Sequence, residues 1–374
     1  MRRSCLTVFG FYAAAVLLLQ NTLITYHMTA RRSASTMIPT SVDDIDDAPT
    51  TKSTVHLRPV VALSIAAAVV VASAPRLSWP TRPLTENEYY SRRQHKVNEY
   101  RHNAVLVPSS LCRPDTYMVI LVHSAPTNED RREAIRVTWG DAVVKKMWPS
   151  TDQQKGSTMS RLHLAFVLGL DVDEAVNRAV RKEHARYDDI VQGDFIDHYH
   201  NMTLKSLLDL KVVENHCPGV KYLLKSDDDM VINLPYLLDI LVAKDMKWSF
   251  MGPYNPHSMV YRAGVWKLTV DEFPFSFYPP YESGSAYVIT GDLIHELFVT
   301  AEYVPHIFVD DVYVTGILGR ILGVNHVRQR GFAYWGTRKP TACDLIRRRI
   351  ITGTKMHPQR LCALWDELLL NPKC

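Results

Sequence analysis

The pattern of apolar and polar positions changes character along the chain. Leu6 to Leu19 read LTVFGFYAAAVLLL behind Arg2 and Arg3, and the apolar stretch continues more weakly through Thr25. A basic start followed by an apolar run predicts a signal peptide or a signal anchor. No small-x-small cleavage site follows the run, which favours the anchor, although a full span needs about 20 apolar residues. A second apolar stretch, Val60 to Ala74 (VVALSIAAAVVVASA), is shorter and Ala-rich, and is the alternative anchor. Between the two, SASTMIPTSVDDIDDAPTTKST has no sustained periodicity and the composition of a disordered segment. Residues Pro75 to Pro114 stay irregular and basic. The pattern therefore predicts a tail over 1–5, a signal-anchor helix over 6–25, a stem over 26–114 and a folded domain over 115–374.

Inside that domain the periodicity is regular. TYMVILVHSA is a buried-strand pattern, and Asn128 is placed to cap the helix EDRREAIRVTWG. LHLAFVLG is a second strand, and Asp171 with Glu174 forms a capping box opening VDEAVNRAVRKEHARY. DDIVQ is a short third strand; LKSLLDLKVVENHC is a helix ended by Cys217-Pro218-Gly219; VKYLLKS is a fourth strand running into three Asp residues. Strands alternating with helices of this length predict an α/β fold, a mostly parallel sheet with helices on both faces. After residue 250 the chain is richer in Pro and aromatics and less regular, until a helix, PQRLCALWDELLL, closes it.

Composition adds little to this picture but excludes some classes. The 374 residues are 47% hydrophobic, 10% aromatic and 22% charged, ample for a core. A net charge of +4 neither demands nor excludes a polyanionic partner. No Lys/Arg block with interleaved aromatics supports nucleic-acid binding. The six cysteines form no CxxC pair and no zinc-spaced cluster. Cys5 falls at the membrane or in the cytosol. Cys112, Cys217, Cys343, Cys362 and Cys374 follow, and in a lumenal domain some of them pair as disulfides. Five cannot all pair among themselves.

Five segments carry candidate chemistry. In KSDDDMVIN, Asp227, Asp228 and Asp229 follow a strand, at the end where α/β sheets present ligands. Side chains two apart point the same way, so Asp227 and Asp229 can face one ion. Hard oxygen ligands suit Mg²⁺ or Mn²⁺, which would neutralise a diphosphate. A solvated acidic turn explains the triplet alone equally well; the buried strand before it favours metal. In RREAIRVTWG, Arg132 and Arg136 share a helix face near a helix start, where phosphate binds. On spacing alone, a solvated basic face with Trp139 in the core is the simpler explanation. In GDFIDHYHNMTLKS, Asn201-Met202-Thr203 is an N-glycosylation acceptor pattern. Lys205 either touches a phosphate or pairs with Asp194 or Asp197. In YPPYESGSAYVIT, Pro279, Pro280 and Gly284 fix a turn, and Tyr278, Tyr281 and Tyr287 either stack on sugar or fill the core. In VDDVYVTGILGRILG, Asp310 and Asp311 open an amphipathic helix as caps, unless one projects into a cleft as a general base.

Together and in this order, these segments resemble the β1,3-galactosyltransferase and β1,3-N-acetylglucosaminyltransferase family, from about Tyr117 to the carboxyl end. The resemblance implies a GT-A-type nucleotide-sugar fold, single-pass type II topology with a lumenal catalytic domain, and Golgi residence. It also implies a UDP-sugar donor, an oligosaccharide, glycoprotein or glycolipid acceptor, Mn²⁺ or Mg²⁺, and inversion at the anomeric carbon. A homodimer is compatible with it. Residue by residue, it implies Asp229 as metal ligand, with Asp227 and Asp228 near the ribose and diphosphate. Arg132, Arg136 and Lys205 would lie on the nucleotide side, Asp311 would be the general base, and Tyr281 and Gly284 would face the acceptor.

The chain departs from the family at particular positions. Glu282 stands where many relatives carry Cys, and the Cys they carry after the Glu-Asp-Val element is absent from VTGILGR. Losing both fits loss of one disulfide. Asp310 replaces the usual Glu. The metal-binding His before the last helix falls at Thr354, with His357 three residues on as a substitute ligand. That departure motivates an alternative, an inactive relative serving as a lumenal chaperone or glycan-binding module. A metal-dependent phosphoryl-transfer enzyme ranks last, because no GxxxxGK[ST] loop is present.

Overall fold

The structure, a computed structural model, describes residues 84–149, 158–334 and 336–374. The expected tail, anchor, alternative anchor and most of the stem lie outside the described residues. Among the described residues no helix is long and apolar enough to cross a membrane.

In chain order the elements that position the site begin with α1 (Glu86–Tyr89), β1 (Ala104–Leu106), β2 (Met118–His123), α2 (Glu129–Arg136) and α3 (Trp139–Lys145). Next come β3 (Leu162–Leu170), α4 (Glu174–Tyr187), β4 (Ile190–Ile196), α5 (Met202–His216) and β5 (Tyr222–Asp227). They are followed by β6 (Val231–Ile232), α6 (Leu234–Lys244), β7 (Ser249–Met251), β8 (Tyr254–Asn255), β9 (Tyr281–Glu282), β10 (Ala286–Thr290) and α7 (Ile294–Ala301). A widened π-helical stretch, Val312–Leu318, runs into α8 (Gly319–Leu322), and β11 (Asn325–His326), α9 (Ala342–Ile346), β12 (Thr352–Gly353) and α10 (Pro358–Leu369) finish the chain.

Eight of the twelve described strands build one sheet in the order β1-β4-β3-β2-β5-β10-β7-β11, while β6 with β12 and β8 with β9 form two-stranded ribbons. Its centre, β4-β3-β2-β5, is parallel. β1 and β10 join antiparallel to β4 and β5. All six residues of β2 are buried. Val119 and Leu121 pack in one core with Leu207 and Leu208 of α5. Because side chains alternate, Met118, Ile120 and Val122 fill the opposite face, so both faces of this strand are covered.

Three local expectations are corrected. The folded unit takes in the described residues from Leu84 onward, ahead of the expected start at Asp115. Tyr89 and Tyr100 bury their rings in the main core, β1 pairs with β4, and a Cys112–Cys217 disulfide ties the segment to the end of α5. Its apolar residues are isolated in sequence and become buried only against distant partners. The cap of α4 is Asp173, whose carboxylate accepts from Ala175 N–H; Asp171 instead accepts from Asp173 N–H, both at 2.8 Å. The stretch after Asp311 is not amphipathic: every residue of Val312–Leu318 is buried.

Candidate active site

The carboxyl end of β5 opens into a cavity of about 1150 Å³. Strand alternation turns Lys225, Asp227 and Asp229 to this side, and all three line it. Asp228 points the other way. Its carboxylate accepts from Ser124 Oγ at 2.8 Å, Asn128 Nδ2 at 2.9 Å and Arg131 Nη1 at 2.9 Å. Asp228 is therefore a buried bracket joining the end of β5 to the loop after β2. That bracket also explains why Asn128 makes no side-chain cap to α2.

The Asp turn is pinned on three sides. Asp227 N–H donates to Ser285 O at 3.0 Å, and Met356 N–H donates to Asp229 O at 2.8 Å. The buried indole of Trp139 donates to Met230 O at 2.9 Å. Lys225, itself buried, donates to Asp227 Oδ1 at 2.7 Å and to Gly284 O at 2.6 Å. Burial opposes its charge, yet Asp227, Asp310 and Asp311 hold its pKa above the ordinary lysine value.

Asp311, which also lines the cavity, caps the π-helical stretch. Gly284 N–H donates to its Oδ2 at 2.7 Å and Val312 N–H to its Oδ1 at 2.8 Å. Burial first, and the neighbouring Asp310 second, push Asp311 up to about 7. The next carboxylate, Asp310, accepts from Ser206 Oγ of α5 at 2.7 Å. Gly284 suits this packing, since a Cβ there would lie 3.2 Å from Asp311 Oδ2, tighter than an ordinary contact.

The donor set on the β5 side fits a hard divalent cation. Burial, then Lys225 in opposition, then the nearby charges of Asp229 and Asp310 place Asp227 at about 6. Burial and Asp228 raise Asp229. A cation would relieve both. Among the described residues no group of three or more His, Cys, Asp and Glu side chains stands ready to hold a metal. Two carboxylates completed by a ligand's phosphates is a common Mg²⁺ arrangement.

The remaining sequence candidates divide. Tyr281 and Gly284 line the cavity, with Tyr278 beside them; Tyr287 is core, buried against the sheet. Arg132 does not face the cavity. It is fully buried, bonded to Glu183 at 2.6 and 2.8 Å and to the carbonyls of Ala125 and Pro126. Arg136 pairs with Asp189 and Glu183. The shared face of this i, i+4 pair is thus the inward face of α2, turned to α4. Lys205 is buried on Asp197, at 2.8 Å, and on Ser124 O. His357 is an exposed N-cap whose Nδ1 accepts from Arg360 N–H, and the cavity wall before α10 carries Thr354 and Lys355 instead. In the glycosylation pattern, Asn201 Nδ2 donates to Ile196 O and the buried Thr203 hydroxyl donates to Ile307 O.

Spacing arguments missed Lys225 and Arg131. Lys225 lies two before Asp227 on the same strand face, so alternation contained the signal. Arg131 lies three after Asn128, and that i, i+3 pair is the one that meets Asp228.

With this geometry in place, comparison with known proteins is informative. A family model described as galactosyltransferase matches residues 130–330. Beta-1,3-galactosyltransferase 1 of Mus musculus and of Homo sapiens are each 30% identical over 282 residues, covering 74% of this chain and 81% of theirs. The chain belongs to the galactosyltransferase family. Beta-1,3-galactosyltransferase 5 of Pan paniscus is 29% identical over 71% of this chain and 85% of its own. The matched span of the family model includes the Asp triplet, the Tyr281–Gly284 turn and Asp311. A galactosyltransferase-family chain with a mixed α/β fold and a carboxylate-lined cavity at a strand end is a glycosyltransferase.

Proposed function

We propose that this protein is an inverting, metal-dependent β1,3-glycosyltransferase. It moves galactose or an N-acetylhexosamine from a UDP-sugar to the 3-hydroxyl of an acceptor glycan carried by protein or lipid. The observation that carries the reading is one cavity lined by three carboxylates from two elements: Asp227 and Asp229 from the end of β5 and Asp311 from the start of the π-helical stretch.

Asp311 is suited to act as a base. Two backbone N–H groups hold its carboxylate in a fixed orientation, and a pKa of about 7 is matched to taking a proton near neutrality. It removes the acceptor hydroxyl proton as that oxygen bonds to the anomeric carbon. The bond from that carbon to the diphosphate breaks in the same displacement, which inverts configuration and needs no covalent nucleophile. Asp227 and Asp229 would hold Mn²⁺ or Mg²⁺, which supplies positive charge to the leaving diphosphate. Lys225 keeps Asp227 ionised and oriented.

Two disulfides, Cys112–Cys217 and Cys343–Cys374, support residence in an oxidising compartment. With the apolar run over 6–25 read as signal anchor, this supports a lumenal domain on a single-pass type II Golgi protein. The test is a screen of UDP-sugars and glycan acceptors with Mn²⁺ and with EDTA. The expected result is transfer from at least one donor, abolished by EDTA, with a β1,3 linkage in the product. Metal-dependent UDP binding without any transfer would instead favour an inactive binding relative.

A further inference from the structure

Positive charge is spread unevenly along the chain. The whole sequence holds 43 Arg and Lys against 39 Asp and Glu, and residues 328–360 hold nine of the former and one of the latter, Asp344. The rest of the chain is therefore net acidic, and its overall +4 is a local excess.

The fold gathers this stretch together. Gly331 O accepts from Ile351 N–H at 2.7 Å and from Thr352 N–H at 3.2 Å, and Ala333 N–H donates to Thr352 Oγ1 at 2.7 Å. Arg360 donates to Pro340 O at 3.0 Å. Arg330, Lys339 and the three arginines after α9 are thus carried on segments bonded to one another, and all five are exposed. Arg330 also lines the cavity, so the basic surface reaches its rim; Lys339, Arg347 and Arg349 lie outside it.

The triple-Arg turn is held from within. Arg348 takes a φ of +53°, a left-handed conformation that glycine adopts most easily. The buried Asn233 donates through Nδ2 to Leu345 O at 2.9 Å and to Ile350 O at 3.2 Å, and Arg349 N–H donates to Asp344 O at 2.9 Å. Two of the cations have acidic partners: Arg338 pairs with Asp344 and Arg348 with Asp239. Among the described residues, Arg330, Lys339, Arg347 and Arg349 form no salt bridge. Unpaired cations on a fixed support repel one another. A polyanion relieves that repulsion and releases its own condensed counterions.

We propose that this surface docks an acidic polysaccharide, a chain bearing sulfate and carboxylate groups, outside the cavity. Seven of the nine cations are Arg, whose planar fork takes such oxyanions in bidentate fashion. The compartment selects among polyanions. Both disulfides support a lumenal domain, apart from nucleic acid, and the strongly anionic lipid leaflet faces the cytosol. The inference rests on that lumenal placement and on no step of the transfer reaction.

The test measures binding of the purified full chain to heparan sulfate. Hyaluronan, which lacks sulfate, duplex DNA, and vesicles of phosphatidylcholine with and without phosphatidylserine are the comparators. The expected result is salt-sensitive binding to heparan sulfate, tighter than to hyaluronan or DNA, with no gain from phosphatidylserine. Arg347→Ser combined with Arg349→Ser weakens heparan sulfate binding about tenfold at about 0.1 M salt, and lowers the slope of log affinity against log salt by about two. Lys339→Ser gives a smaller loss in the same direction. UDP affinity and melting temperature hold in both variants. Unchanged heparan sulfate affinity in the double variant overturns the proposal, as does equal or tighter binding to DNA or a gain from phosphatidylserine. Heparan sulfate binding is read without UDP or transfer, so a failure of the glycosyltransferase reading shows separately, as absent UDP binding.

Discussion

At the residue scale the site turns on how neighbouring carboxylates are told apart. Asp227, Asp228, Asp229, Asp310 and Asp311 are chemically alike, and only their partners separate them. Asp228 is satisfied by three side-chain donors and serves structure. Asp311 receives two backbone N–H groups, and burial lifts it to about 7. The active form of a base is the carboxylate, so turnover should fall as pH drops through about 7, by about tenfold per unit below it, and level off above. A pH profile of kcat/KM measures this. The paired arginines show the converse. By spacing Arg132 and Arg136 read as a solvated basic face, and by resemblance as nucleotide-side groups, but an i, i+4 pair can equally mark the buried side of a helix. Their acidic partners, Glu183 and Asp189, lie some fifty positions away and carry no local sign of the contact. Because Arg132 is wholly buried, Arg132→Ala should leave Glu183 held by Arg136 alone and the carbonyls of Ala125 and Pro126 without their donor, at a cost of about 3 kcal/mol. Denaturant titration would detect that loss, and a purely nucleotide-side role would not produce it.

At the scale of elements, the strand-helix alternation from β2 to β5 was legible because continuous apolar runs and i, i+4 patterns are local signals. After residue 250 only the closing helix, Pro358–Leu369, was legible in the same way. β7 through β11 are two to five residues long and owe their existence to pairing with β5 and with one another. The π-helical stretch reads as amphipathic only until the sheet and the β8–β9 ribbon cover its polar side. Glu282 N–H donates to Thr315 there, and the buried Glu282 carboxylate takes His326 Nδ1 at 3.0 Å. The chain thus anchors the ribbon to its helix and to β11 through polar contacts. The Asp turn depends on a further long-range anchor. Trp139→Phe keeps the ring but strips the donor from Met230 O, and should cost about 1–3 kcal/mol. The same change should weaken Mn²⁺-dependent UDP binding, because Met230 adjoins Asp229; calorimetry with UDP and Mn²⁺ would show it.

At the scale of the molecule, the boundary of the folded unit was the largest miss. Residues 84–114 look like stem in sequence, yet they supply an edge strand, two buried tyrosines and one end of a disulfide. Cys112 and Cys217 are 105 positions apart, so the bond closes a long loop in the unfolded chain. Cys112→Ser with Cys217→Ser should cost about 2–5 kcal/mol, seen as a lower melting temperature under non-reducing conditions. A truncation starting at Asp115 should be destabilised for the same reason, with the added loss of Tyr89 and Tyr100 from the core.

All three scales converge on Asp311, placed by Gly284, by the helix it caps and by Lys225, which joins Gly284 to Asp227. Single-turnover kinetics of Asp311→Asn, with UDP affinity and melting temperature measured on the same preparation, test that placement most directly. The account predicts that transfer falls by about 10² to 10⁴-fold while UDP affinity and melting temperature stay near those of the unaltered protein. Transfer at the unaltered rate would contradict it.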